Sequence, residues 1–134
     1  IRQNTAALHG ASDNVLFERH LELVNQFTAD PSLAAIMVTM RSDDPQLNEV
    51  DAVRWERYQV NLLDIWVQAY MRHQAELLSD RQWHAWDAYF TDLFSDGAEK
   101  FDRPFWERYQ FGFDTDFWNH VDRALFPDSG RAQQ

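Results

Sequence analysis

The chain has no cysteine, a single lysine, and only four glycines and four prolines in 134 residues. Without cysteine it holds no disulfide, no thiolate metal site and no cysteine nucleophile, and it does not disclose its redox compartment. Lys100 has no glycine-rich loop beside it, so the backbone cradle of a nucleotide hydrolase is missing. No serine stands in a Gly-x-Ser-x-Gly turn; Ser32, Ser42, Ser79 and Ser95 sit where caps and turns want them. No run of about 18 apolar residues occurs, so the sequence itself contains no transmembrane helix, and no signal peptide is visible. Basic residues are few: 12 Lys and Arg stand against 22 Asp and Glu, for a net charge of −10. That charge argues against a nucleic-acid partner, which needs a basic face to neutralise phosphates. It argues equally against electrostatic adhesion to anionic lipid. Its plain meaning is an acidic, self-repelling surface.

Aromatic residues are abundant, with six Trp, ten Phe and four Tyr. Each buries about 150–250 Å², so one core can form without covalent staples. Val, Ile and Thr nowhere alternate usefully, whereas apolar residues recur at three- and four-residue steps. The expected fold is therefore all-α, with five or six helices in a single domain over 1–127. The first helix spans about 2–28, its apolar positions being Leu8, Ala11, Val15, Leu16, Leu23, Val24 and Phe27. Asp30-Pro31 caps a second over about 32–41. Pro45 breaks the chain before a third, long helix from 47 or 48 to 78. Val50, Val53, Leu62, Ile65, Trp66, Ala69 and Leu77 are its expected buried face. Ser79-x-x-Gln82 reads as a capping box for a fourth helix to about Phe94. Asp102 with Pro104 starts a fifth, to about Phe111, and Asp114 or Thr115 a sixth, to Phe126. Short connections favour antiparallel neighbours, so the long first and third helices should pack antiparallel with the shorter C-terminal helices across them. Residues 128–134 read as a disordered tail.

Trp55-Glu56-Arg57-Tyr58-Gln59 recurs as Trp106-Glu107-Arg108-Tyr109-Gln110, but the flanks diverge at once and no repeat architecture follows. The aromatic run from Trp83 to Phe90 reads as core, since a stacking platform for single strands would carry basic neighbours.

Two constellations are candidates for a site. Arg57, Asn61, Asp64 and Gln68 follow helical spacing on the long helix, near Trp66 and Tyr70, and would bind a small polar ligand if they face a pocket. The competing reading is a solvated stripe or a register-fixing network. His73 and Glu76, at i and i+3, are a weaker metal candidate. Di-iron bundles place Glu-x-x-His on two helices, whereas here the order is reversed and has no second copy. No cofactor is implied, and no motif fixes a reaction.

Several segments together are similar to a group of uncharacterised bacterial proteins, a domain-of-unknown-function family. They are the opening Ile1-Arg2-Gln3-Asn4-Thr5-x-x-Leu8, the stretch Asp30-Pro31-x-Leu33-Ala34, and Tyr70 through Glu76-Leu77-Leu78-Ser79 to Trp83-x-x-Trp86. Phe117 to Leu125, with Val121-Asp122 inside, is the last. The family's opening often carries a further Arg or Lys where this chain has Ala6, Ala7 and His9. The resemblance implies one N-terminal membrane helix upstream, running into the helix over 1–28, with a helical domain after it. Arg2 at the interface would put the domain on the cytoplasmic side of the inner membrane. The family brings no activity and no catalytic residue.

The leading expectation is a non-catalytic, membrane-tethered helical interaction or ligand-sensing module, open to a protein partner or a second copy. One alternative is a metal-binding or small-molecule enzyme using His and Glu on the first and third helices. The other is a soluble acidic partner-binding protein, of adaptor or immunity type, meeting a basic partner.

Overall fold

A computed structural model describes residues 2–127; the expected membrane junction at Ile1 and the expected disordered tail 128–134 lie outside them. The described residues form six α-helices and no strand: α1 (Arg2–Ala29), α2 (Pro31–Met40), α3 (Glu49–Gln74), α4 (Asp80–Ser95), α5 (Arg103–Tyr109) and α6 (Thr115–Leu125), with a 3₁₀ turn Gln110–Gly112 after α5. The all-α architecture read from the sequence is the observed one. None of the described helices is long and apolar enough to cross a membrane. The described residues divide into two compact units, the first ending at Trp86 and the second beginning at Asp87.

Local chemistry sets the helix starts. Asp30 accepts from the Ser32 amide, Asn48 from Asp51, Asp102 from Phe105 and Asp114 from Asp116, each satisfying an orphan donor of a first turn. The capping box before α4 is complete: the Gln82 amide donates to Ser79 Oγ at 3.1 Å, and the Ser79 amide donates to Gln82 Oε1 at 2.9 Å.

The end of α3 corrects the expectation. The helix stops at Gln74, not Leu78, because Glu76 takes a left-handed backbone, φ 62°. The Leu77 amide donates to the Arg72 carbonyl at 2.7 Å and the Glu76 amide to that of His73 at 3.0 Å. This is a Schellman closure with glutamate where glycine is usual.

In the first unit α1 and α3 run antiparallel, because their partners fall in number along one as they rise along the other. His9 Nε2 donates to the Glu76 carbonyl at 3.0 Å, Arg72 donates to Ser12 Oγ at 2.8 Å, and Phe27 packs on Trp55 and Tyr58. Leu16, Phe27, Ile36, Leu62, Leu63, Ile65, Trp66 and Ala69 are buried. The α4 end closes onto this pair through Trp86, whose indole donates to Asp13 at 2.8 Å, and through Trp83, edge-on to Tyr70.

Five expected core positions are exposed: Leu8, Ala11 and Val15 on α1, Val50 and Val53 on α3. Val53 lies nine residues before Leu62, about two and a half turns, and so faces the opposite side. Gly10 sits inside α1, and a Cβ there would meet nothing within 4 Å. Gly10→Ala is expected to raise stability by about 1 kcal/mol, read as a higher urea midpoint at unchanged slope.

The second unit is built on rings. Phe94, Phe101 and Phe105 pack in series at 5.0 and 4.8 Å, and Trp106 joins Phe117 and Phe113. The Trp106 indole donates to Asp122 at 2.7 Å, and His120 Nε2 donates to Asp87 at 2.6 Å, tying α6 to α5 and to α4. The textual echo is not a structural one. Trp55 lies two turns into the long α3, whereas Trp106 is in the first turn of the short α5 that Asp102 caps.

Candidate functional site

The polar stripe of α3 is half-buried rather than fully solvated. Asn61, Asp64 and Gln68 are intermediate in exposure, and Arg57 is exposed. Asn61 forms one wall of a cleft of about 220 Å³, together with Ile65 of α3 and Arg19, Glu22, Leu23 and Gln26 of α1. The α1 wall was not read from the sequence. Arg19, Glu22 and Gln26 share one helix face at three- and four-residue steps, and that spacing was visible, but only the antiparallel register sets it opposite Asn61.

Several polar side chains outside the cleft are committed to one another: Asp13 to Trp86, Ser12 to Arg72, His73 to Asp80. Among the described residues, the side chains of Arg19, Glu22, Gln26 and Asn61 make no hydrogen bond or ion pair with a neighbour. Asp64 stands just outside. Burial raises its carboxyl above the ordinary value, and the nearby charges of Arg19 and Arg57 oppose that rise.

The shift has a sign that can be tested. A carboxyl held above its unfolded value binds its proton more tightly in the fold. Its contribution to stability is therefore greatest in acid and declines as pH rises through and above about 4. Asp64→Asn is expected to melt above wild type at pH 7, with the gap closing below pH 4; a lower melting temperature at pH 7 would mean that the two arginines outweigh burial.

Tyr70 does not belong to this cleft. It lies nine residues beyond Asn61, on the far side of α3, against Trp83. Gln68 remains on the stripe but does not line the cleft. The metal candidates serve other ends. His73 Nε2 donates to Asp80 Oδ1 at 2.8 Å, its ring stacks on Trp83, and its Nδ1 is closed off from solvent. That hydrogen bond, and then the imidazole charge, hold the Asp80 carboxyl below its usual range. Glu76 closes the turn with its left-handed backbone, and its side chain is exposed. Among the described residues no three of His, Asp and Glu gather to hold a metal ion.

A larger, more open hollow in the second unit, about 520 Å³, is lined by Tyr89, Asp92, Leu93, Asp96 and Gly97. Burial and the Glu99 carboxylate push the Tyr89 hydroxyl upward, so it stays protonated. Its charged groups are carboxylates alone, whereas the α1–α3 cleft joins both charges with two amides, and the latter is the better candidate for selective binding. Comparison with protein-family models, curated proteins and solved structures returns no match.

Proposed function

We propose that this chain is a non-catalytic helical module that senses a small polar ligand held between α1 and α3. The supporting observation is the cleft itself: two long helices are fastened to each other near both ends, while the polar side chains that line the cleft, Arg19, Glu22, Gln26 and Asn61, form no hydrogen bond or salt bridge with a described neighbour. A ligand there would bridge the helices at mid-span. A guanidinium and two amides bind without exchanging protons near neutral pH, which suits recognition better than acid–base chemistry. On the resemblance of the opening residues, the module is tethered to the inner membrane with its domain in the cytoplasm, and α1 is the element that would carry a change toward the membrane.

Hydrogen exchange checks the first part. Separate additions of free amino acids, dicarboxylates, inorganic phosphate and polyamines at millimolar concentration should include one that slows exchange over 19–26 and 57–65. No change with any class would remove the ligand-sensing reading. Fractionation checks the second: the full-length gene product should sediment with the inner membrane, and recovery in the soluble fraction would end the tether.

The net charge of −10 favours one second reading, an acidic partner-binding protein that meets a basic partner. A pull-down whose yield collapses between low and high salt would support it, and a salt-independent yield would not.

A further inference from the structure

Resting on that cleft reading, we infer that the ligand is a small zwitterion with a carboxylate and an ammonium close together, the class of the free aliphatic α-amino acids. Size comes first. Sites for drug-sized molecules and cofactors run to about 300–1,000 Å³. A cleft of about 220 Å³ lies below that range, so the part of a ligand it encloses is the size of a small metabolite rather than of a nucleotide.

Charge comes second. Arg19 and Glu22 lie at i and i+3 on α1, roughly 5–6 Å apart at Cβ, so one small molecule reaches both. The guanidinium fork suits a carboxylate, and the Glu22 carboxylate suits an ammonium. Behind them stand Asp64 and Arg57, and Arg19 and Arg57 both bear on Asp64. Two cations and two anions balance in the neighbourhood. A ligand of a single sign therefore gains from one group what it loses to another. A neutral molecule with separated charges gains from both.

Shape comes third. Gln26 and Asn61, one on each helix, offer a donor and an acceptor each, and fix orientation. Leu23 and Ile65 give the cleft an aliphatic patch where a short apolar side chain can lie. Because the amides come from opposite walls, the same ligand that satisfies them joins α1 to α3.

The test is calorimetric titration of the full chain with glycine, L-alanine, L-valine and L-leucine. N-acetyl-L-alanine and L-alaninamide, each lacking one charge, serve as matched probes, and inorganic phosphate and putrescine as single-sign probes. At least one zwitterion should bind saturably, and removal of either of its charges should weaken binding at least tenfold. Arg19→Met and Glu22→Gln alter exposed side chains, so the fold should persist by circular dichroism while each variant loses at least tenfold in affinity. Binding of phosphate or N-acetyl-L-alanine as tightly as the zwitterion, unaffected by Glu22→Gln, would overturn the zwitterion and leave the cleft reading standing. Absence of binding by every zwitterion up to 10 mM, with a dicarboxylate still slowing exchange over 19–26 and 57–65, would overturn the zwitterion alone; absence of binding together with unchanged exchange for every class would overturn both.

Discussion

Trp106→Ala is expected to destabilise the protein by about 3–5 kcal/mol, a large share of the roughly 5–15 kcal/mol that holds a natural domain together. Trp106 has 0 % exposure and is ringed by Phe101, Phe113 and Phe117. Its removal leaves a cavity walled by rigid rings, which cannot collapse to fill it. It also strips the half-buried Asp122 carboxylate of an indole donor at 2.7 Å. Two further variants separate these terms. Trp106→Phe keeps most of the volume and loses the donor, so a cost of about 1–3 kcal/mol is expected. Asp122→Asn keeps an acceptor oxygen and should stay within about 1 kcal/mol of wild type. Urea unfolding at constant slope reads all three; a Trp106→Ala cost below 1 kcal/mol would show that the ring cluster is not the core of the second unit.

Gly97→Ala is expected to cost about 1–3 kcal/mol, the range for a group forced into filled space. A Cβ on Gly97 would lie 2.7 Å from the Leu93 carbonyl oxygen and 3.1 Å from Glu99 Oε2. The carbonyl cannot step aside, because the Gly97 amide donates to that same oxygen at 3.2 Å. The effect is steric rather than conformational, since no described glycine has positive φ. Gly10→Ala, with open space around it, is the matched control and should move stability the other way. A neutral Gly97→Ala would mean that the turn after α4 shifts freely.

Helix starts were legible in the sequence, because a cap is a short-range contract between a side chain and an amide two or three residues on. Asp30, Asn48, Ser79 with Gln82, Asp102 and Asp114 all act where such chemistry puts them. The end of α3 was not legible. A left-handed closing residue normally announces itself as glycine, and here it is Glu76. What stands over that turn is distant in sequence: His9 donates to the Glu76 carbonyl, and Gln82 Nε2 donates to the His9 carbonyl at 3.4 Å. Helical spacing continued on paper through Leu77 because periodicity carries no information about such contacts.

The same division runs through the candidate site. Spacing alone grouped Arg57, Asn61, Asp64 and Gln68 on one stripe of α3, and the structure keeps them there, half-buried except for Arg57. Spacing also suggested Tyr70, which the helix rotates away toward Trp83. Arg19, Glu22 and Gln26 form an equally regular row, yet nothing in their own segment tells a cleft wall from a solvated face.

Composition, periodicity and capping residues determined that this chain is all-helical, where α2 to α6 begin and which residue types carry the core. Those properties depend on interactions within a few residues. Which faces are covered, where α3 stops and which polar rows confront each other were decided only by the antiparallel pairing of α1 with α3 and the return of α4. They depend on contacts between residues about 60–70 positions apart, such as His9 with Glu76 and Ser12 with Arg72.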